Sequence, residues 1–223
     1  MTNTVLIVGA SRGIGLELVR QYLADGARVF ATARNEAGLK LLRDEGARVL
    51  KLDVTDAASV SGLAWQIDGE IFETVVVNAG VYGPRTNGLQ TPTEADFDQV
   101  MRTNVLGPMR VIPQLVDALA EGSKLGVISS RMGSMGLRSN GSGWLYRASK
   151  AAVNSVLKDV SFALAGKAIC VALHPGWVRT DMGGSDADLD VNDSARDLRR
   201  TLAALTPADN GAFLNHDGQP LAW

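Results

Sequence analysis

The chain has 223 residues, enough for one substantial hydrophobic core. With 46% hydrophobic and 21% charged residues it is neither disordered nor fibrous, and a net charge of −2 gives no indication of a nucleic-acid partner. One cysteine, Cys170, and two histidines exclude an intramolecular disulfide and argue against a metal site. We expect no membrane span and a cytoplasmic location, because we find no basic and apolar leader and no apolar run of roughly 18 residues.

Short β-branched runs alternate with longer segments of helical period along most of the chain. The predicted strands cover residues 4–8, 28–33, 48–52, 74–78, 125–129, 169–174 and 212–214. The predicted helices cover residues 14–24, 37–45, 56–68, 93–120, 146–164 and 193–204, with bends expected in the fourth at Gly107, Pro108 and Pro113. The first four strands do not alternate between polar and apolar residues, as expected where helices cover both faces of a parallel sheet. We therefore predict an α/β fold in which residues 1–223 form a single doubly wound domain around about seven parallel strands.

A glycine-rich turn follows the first predicted strand and opens the first helix, in the order Gly9-Ala10-Ser11-Arg12-Gly13-Ile14-Gly15. Residues without side chains allow the backbone to approach a pyrophosphate, and a helix start offers free N–H groups and a positive dipole end. The spacing differs from G-x-G-x-x-G, and a turn that binds no ligand is the alternative. The position within a β-α-β unit favours a Rossmann-type dinucleotide site. The residues predicted to contact the cofactor here are Gly9, Ser11, Arg12, Gly13, Ile14 and Gly15.

The end of the second predicted strand bears on the choice of cofactor. NAD-binding sites place an acidic residue about 20 positions after the glycine turn, where it accepts hydrogen bonds from the ribose 2′-hydroxyl. This chain has Arg34 at that place. Arg34 and Arg12 together would suit a 2′-phosphate, so NADP(H) is favoured. In the alternative interpretation, both arginines are surface charges that bind no cofactor. NAD(H) is the less favoured cofactor, and the nearby Glu36 is the reason that it is still considered.

Tyr146 and Lys150 lie at the start of the fifth predicted helix, and their i, i+4 spacing places them on one face. A phenol with its ordinary pKa near 10 is a poor acid-base catalyst at neutral pH, but a nearby ammonium group would lower that pKa. The pattern Tyr-x-x-x-Lys alone is common on exposed helices. Its combination with the glycine turn makes a catalytic pair a much stronger interpretation.

These motifs and five others resemble, in order and over nearly the whole chain, the short-chain dehydrogenase/reductase family. The matching segments are Gly9-x-x-x-Gly13-x-Gly15, Asp53-Val54, Asn78-Ala79-Gly80, Asn104 in Thr103-Asn104-Val105, Ser129-Ser130, Tyr146-x-x-x-Lys150, and Pro175-Gly176 with Thr180. The segment from Ser130 to Ser134, the Tyr-Arg-Ala-Ser-Lys run and the ending Asp217-Gly218 to Trp223 are most similar to the C-factor and sniffer group of carbonyl reductases.

The resemblance implies an oxidoreductase that transfers hydride between NADP(H) and a small-molecule carbonyl or secondary alcohol. Tyr146 would be the acid/base, and Ser130 would hydrogen-bond the substrate oxygen, with Ser129 an alternative for that role. Lys150 would bind the nicotinamide ribose and lower the tyrosine pKa, and Asn104 would hold a water that passes protons to Lys150. An alternative is an NADP(H)-binding sensor or signalling protein without turnover, which the complete set of proton-relay residues argues against.

The resemblance also implies further cofactor contacts and an assembly. Asp53 would hydrogen-bond adenine and Thr180 the carboxamide of the nicotinamide. The other residues expected near the cofactor are Val54, Asn78, Ala79, Gly80, Pro175, Gly176 and Val178, with Asn78 chiefly stabilising the sheet. A homodimer or homotetramer is expected, with no nucleic-acid or membrane partner.

Overall fold

The computed structural model describes residues 3–86 and 88–223, and its centre is a parallel sheet in the order β3-β2-β1-β4-β5-β6-β7. The strands are β1 (Thr4–Val8), β2 (Arg28–Ala33), β3 (Arg48–Lys51), β4 (Phe72–Val77), β5 (Leu119–Ile128), β6 (Ala168–His174) and β7 (Ala212–Asn215). The sheet confirms the predicted doubly wound α/β fold with seven parallel strands.

Helices follow most of the strands. They are α1 (Gly13–Ala24), α2 (Glu36–Asp44), α3 (Ala57–Ser61), α4 (Leu63–Gln66), α5 (Glu94–Met101), α6 (Gly107–Val111), α7 (Trp144–Ala163) and α8 (Val191–Ala204). Short 3-10 turns cover Ile112–Ala118, Arg131–Gly133 and Pro207–Asp209. In the described ranges no helix is long and apolar enough to cross a membrane, and no cluster of three or more His, Cys, Asp or Glu could hold a metal ion.

The hydrophobic core lies on both faces of the sheet. Successive residues of a strand point to opposite faces, so Leu6 packs in the same cluster as Leu157 of α7, while Ile7 packs with Leu18 of α1 and Leu198 of α8. All five residues of β1 are buried. Burial on both sides explains why the strands carry continuous apolar runs.

The predicted helix over residues 93–120 is divided, which is the main departure from the expected elements. A π turn at Arg102–Leu106 separates α5 from α6, and a 3-10 turn replaces the end of the helix from Ile112. The expected bends therefore occur, and an additional one precedes Gly107. The π turn contains Asn104, and π turns inside helices are frequent at functional sites.

The strand order reverses between β1 and β4, and the carboxyl ends of all seven strands lie at one edge of the sheet. Ligands of doubly wound sheets bind in the crevice at such a reversal. The segments that follow β1 to β6 meet there. These are the segments that contain the predicted site residues.

Candidate active site

A cavity of about 450 Å³ lies at this edge. The predicted site residues that line it are Gly9, Ser11, Arg12, Gly13, Ile14, Arg34, Asp53, Val54, Asn78, Ala79, Gly80, Tyr146, Lys150, Pro175 and Thr180, together with Ser129. Five others do not line it, namely Gly15, Asn104, Ser130, Gly176 and Val178. Each of these five contacts a residue of the wall or of the segment that closes over it.

The glycine turn packs directly on the segment that follows β4. A Cβ on Gly9, whose φ is +84°, would lie 2.7 Å from the Cα of Ala79, and one on Gly15 would lie 2.5 Å from the Gly9 carbonyl oxygen. The Asn78 amide donates to that carbonyl oxygen at 2.6 Å, and the Thr32 hydroxyl accepts from the Gly9 N–H at 2.9 Å. Side chains at positions 9 and 15 are therefore excluded, and the turn is fixed from two neighbouring strands.

The outer rim of the cavity is positively charged. Arg34 is exposed at the end of β2 and has no carboxylate within ion-pair distance among the described residues. The Glu36 carboxylate lies instead 3.4 Å from the Lys51 ammonium group. Arg12 lies 3.3 Å from Asp181, but both side chains are largely exposed, so water screens this pair. Arg34 is therefore free to bind an anion at the rim.

Asp53 is a fixed, ionised acceptor beside this rim. Its Oδ1 accepts from the Thr55 hydroxyl at 2.7 Å and from the Thr55 N–H at 2.9 Å. The side-chain hydrogen bond from Thr55 is the largest cause that lowers the pKa of Asp53, and the charge of Arg34 lowers it further. Val54 packs against Gly107, where a Cβ would lie 3.1 Å from Val54 Cγ2.

Tyr146 is 7% exposed, and burial raises the pKa of its phenol to about 12. The nearby Ser130 hydroxyl opposes this rise in pKa, and the ring of Tyr82 stacks on that of Tyr146 with centroids 4.5 Å apart. The Ser129 hydroxyl points elsewhere, since it donates to Asn154 Oδ1 at 2.5 Å. Of the two serines, Ser130 is thus the one whose hydroxyl influences the pKa of the tyrosine.

Lys150 is 4% exposed, and its ammonium group donates to the Ile128 carbonyl at 2.8 Å. It lies 5.7 Å from the centroid of the Tyr146 ring, and burial lowers its pKa to about 8. The expected lowering of the tyrosine pKa by this lysine is not found. Loss of hydration is the largest cause of the pKa shift of both groups, and the ammonium group of Lys150 points at the Ile128 carbonyl oxygen instead of the phenol.

Burial of Lys150 makes stability depend on pH. Between the folded pKa near 8 and the ordinary value of 10.5, the unfolded chain binds more protons, so stability rises with pH. For Lys150→Met this gain disappears, because methionine does not titrate. From pH 7.5 to 9.5 we expect the wild type to gain about 2 kcal/mol of unfolding free energy relative to the variant. Urea denaturation measures this difference, with Lys158→Met, an exposed lysine of α7, as the control; parallel curves for the wild type and Lys150→Met would contradict it.

The amide of Asn104 holds the chain after β4. Its Oδ1 accepts from the Val81 N–H and its Nδ2 donates to the Val81 carbonyl, both at 2.8 Å. Nδ2 also donates to the Ser149 hydroxyl at 2.9 Å. A Cβ on Gly80 would lie 3.4 Å from Asn104 Oδ1 and 3.5 Å from Lys150 Nζ. The glycine therefore leaves open space that borders both polar atoms.

Residues 175–190 form a loop after β6 that we call the lid. Gly176, at φ +88°, packs where a Cβ would lie 2.8 Å from Leu189, and Val178 pairs with the same leucine in a short bridge. Thr180 reaches the glycine turn, because its Cγ2 would lie 3.4 Å from a Cβ on Gly13. The lid thus covers the N-terminus of α1.

Sequence reasoning did not identify several residues of the wall. They are Leu16, Thr32, Ala33, Leu52, Thr55, Val81, Thr103, Ile128, Arg179, Asp181, Met182 and Val191. Thr32 and Ala33 end β2 beside the glycine turn, so their place at a strand end was a usable signal. No sequence signal indicated that residues 179–182 line the cavity, because the path of a loop does not follow from hydrophobic periodicity.

The family model of the short chain dehydrogenases matches residues 3–189. The chain therefore belongs to the short-chain dehydrogenase/reductase family of oxidoreductases, and the resemblance in its motifs is confirmed.

Individual relatives agree with this membership. C-signal of Myxococcus xanthus is 36% identical over 154 residues, which are 68% of this chain and 92% of the relative. The carbonyl reductase Sniffer of D. melanogaster has a TM-score of 0.91 and 30% identity over the whole of both chains. An NADPH-bound carbonyl reductase from chicken fatty liver has a TM-score of 0.87 and 30% identity over 100% of this chain and 99% of its own.

Proposed function

We propose that the protein is an NADP(H)-dependent oxidoreductase that transfers hydride between the nicotinamide and a small carbonyl compound or secondary alcohol. The observation that carries this proposal is that Tyr146 and Lys150 line the same cavity as the glycine turn and Arg34. The proposed proton donor, Tyr146, and the proposed dinucleotide site therefore lie in the same cavity. We also propose that residues 1–223 act as one domain, since one sheet takes strands from Thr4 to Asn215.

The charges at the rim support NADP(H) over NAD(H). The exposed Arg34 guanidinium has the geometry to bind a 2′-phosphate, and Arg12 lies on the same cavity. Glu36, the carboxylate that would favour a 2′-hydroxyl, lies beside Lys51 and not beside Arg34, in an exposed pair that water also screens. The NADPH in the related carbonyl reductase from chicken fatty liver is in line with this preference.

Tyr146 and Ser130 would act on the substrate oxygen. When bound, the reduced nicotinamide supplies the hydride. The Tyr146 hydroxyl donates its proton to that oxygen, and a pKa of about 12 keeps this hydroxyl protonated at neutral pH. Transfer is favourable because an alkoxide is a stronger base than a phenolate. The Ser130 hydroxyl donates a hydrogen bond to the same oxygen as negative charge develops.

Lys150 and Asn104 would restore the proton of Tyr146. A pKa of about 8 lets Lys150 release and regain a proton close to neutral pH. The open space at Gly80 borders both Lys150 Nζ and Asn104 Oδ1, which suits a bridging water. We therefore propose that Asn104 holds the backbone of Val81 in place and also binds the water through which protons reach Lys150.

Purified protein mixed with NADPH or NADH and a panel of aldehydes, ketones and diketones tests the proposal. We expect NADPH to be oxidised by at least one carbonyl class, with NADH a poorer donor. The loss of absorbance of the reduced nicotinamide measures the rate. Tight NADPH binding without oxidation by any of these compounds would overturn the oxidoreductase and favour the sensor.

A further inference from the structure

A second aromatic ring and an arginine cover the outer side of Tyr146. The Tyr82 ring stacks on Tyr146 at an interplanar angle of 24°, and the Arg85 guanidinium lies 5.2 Å from the Tyr82 centroid. Arg85 also donates to the Met182 carbonyl of the lid at 3.0 Å. Tyr146 and Met182 both line the cavity, whereas Tyr82 and Arg85 do not. Arg85 therefore joins two parts of the wall from outside it, and we call this position the mouth of the site.

The position of Tyr82 is set by its neighbours on both sides. Asn104 binds both backbone groups of Val81, the preceding residue. Gly83 has a φ of +78° and packs so closely on Val100 that a Cβ would overlap that side chain. A Cβ on Gly143 would lie 2.6 Å from the Tyr82 hydroxyl oxygen. The ring on which the Arg85 guanidinium lies is therefore held in a fixed position.

Two of the chain segments around this mouth contain basic residues but no acidic ones. Residues 74–93 and 122–158, which supply Tyr82, Ser130 and Tyr146, contain no aspartate or glutamate. Arg85 is exposed, and within residues 3–86 and 88–223 it has no ion-pair partner. The substrate side of the site therefore combines an aromatic surface with an unpaired guanidinium.

The lid carries four aspartates, Asp181, Asp186, Asp188 and Asp190, and none of them lies within ion-pair distance of Arg85 among the described residues. Asp190 pairs with Arg179 at 2.8 Å, and water screens the exposed pair of Asp181 with Arg12. Arg85 meets the lid through a backbone carbonyl instead, which occupies one of its N–H donors. The remaining donors of the guanidinium keep the planar geometry that suits a carboxylate.

We propose that Arg85, held on the Tyr82 ring, binds a carboxylate of the substrate, so that the protein prefers carbonyl compounds carrying a carboxylate several bonds from the reacting carbon. The preference rests on the proposed carbonyl reduction. Binding of the carboxylate by Arg85 does not require turnover. Arg85 is thus a specificity-determining residue, while Tyr146 remains the proton donor.

Matched substrates test the preference. 4-Formylbenzoate and its methyl ester present the same aldehyde with and without the negative charge, and NADPH oxidation gives kcat/KM for each. We expect the wild type to prefer the acid, and Arg85→Gln, which keeps an amide donor, to lower the ratio of acid to ester about tenfold, mainly through KM of the acid. Arg85→Lys should keep part of the preference. Arg200→Gln, which removes an exposed arginine of α8 from the cavity at the amino end of the sheet, is the control and should leave the ratio unchanged.

A binding measurement separates this inference from the proposed function. Calorimetric titration of the NADP⁺-loaded protein with terephthalate, a dicarboxylate without an aldehyde, should give a Kd about tenfold weaker for Arg85→Gln than for the wild type. Equal Kd values, or a wild type that prefers the ester, would overturn the role of Arg85 even if carbonyls are reduced. Arg85-dependent binding of terephthalate without reduction of any carbonyl would support the anion site and overturn the oxidoreductase.

Discussion

Tyr146→Phe is expected to lower kcat of carbonyl reduction about 1000-fold, within the range that general acid catalysis contributes. The phenol hydroxyl gives its proton only as the substrate oxygen gains charge, so its loss affects the transition state. Tyr146 is 7% exposed, and phenylalanine fills the same buried space. The Kd of NADPH, measured by fluorescence titration, should therefore change by no more than about twofold.

Tyr22→Phe is the matched control for this prediction. Tyr22 is another buried tyrosine whose pKa burial raises to about 12, but it belongs to α1 and lines the cavity at the opposite end of the sheet. Its variant should keep the wild-type kcat. A Tyr146→Phe protein with near wild-type kcat would remove Tyr146 from the chemistry, and a parallel loss in both variants would indicate a structural effect.

Arg34→Asp is expected to lower the ratio of kcat/KM for NADPH to that for NADH about 100-fold. The substitution replaces the unpaired guanidinium at the end of β2 with a carboxylate, which repels a 2′-phosphate and can accept hydrogen bonds from a 2′-hydroxyl. Steady-state rates with each cofactor and one carbonyl substrate give the ratio.

Two further variants define this result. Arg34→Gln, which removes the charge without reversing it, should give an intermediate ratio, and Arg200→Asp should leave the ratio unchanged because Arg200 borders the other end of the sheet. An unchanged ratio in Arg34→Asp would place the recognition of the 2′-phosphate elsewhere on the rim.

The sequence was sufficient for the sheet and for the glycine turn. The residues of β1, β4 and β6 are buried on both faces almost throughout, so continuous apolar runs such as Val75 to Val77 mark these strands directly. Backbone contacts exclude any side chain at positions 9 and 15, so both positions must be glycine. The glycine spacing of the turn is therefore visible in the sequence. Tyr146 and Lys150 were identifiable because one helix turn sets their separation.

The electrostatics of the site could not be predicted from the same residues. The i, i+4 spacing suggested that Lys150 lowers the pKa of Tyr146, whereas burial raises it to about 12. Burial depends on what packs from elsewhere, and the stacked ring of Tyr82 comes from the segment after β4, 64 positions away in the chain. The π turn that divides the predicted helix over residues 93–120 could not be predicted either. The only signals of a break in this segment are Gly107 and two prolines.

The path of the lid was equally inaccessible. Thr180 was expected near the nicotinamide from the resemblance, and it does line the cavity, close to Gly13. The contact of Arg85 with the Met182 carbonyl joins two loops by a backbone oxygen, which every residue type carries. No residue type at position 182 could have indicated it.

Deuterium transfer from NADPH labelled at C4 of the nicotinamide shows whether the protein catalyses hydride transfer to a carbonyl carbon. The purified protein is incubated with the two labelled epimers in turn and with a carbonyl compound that it reduces, and the alcohol is analysed by mass spectrometry. We expect one epimer to place a single deuterium on the former carbonyl carbon, and Tyr146→Phe to form this product far more slowly. Bound NADPH that delivers no deuterium to any carbonyl compound would contradict this expectation.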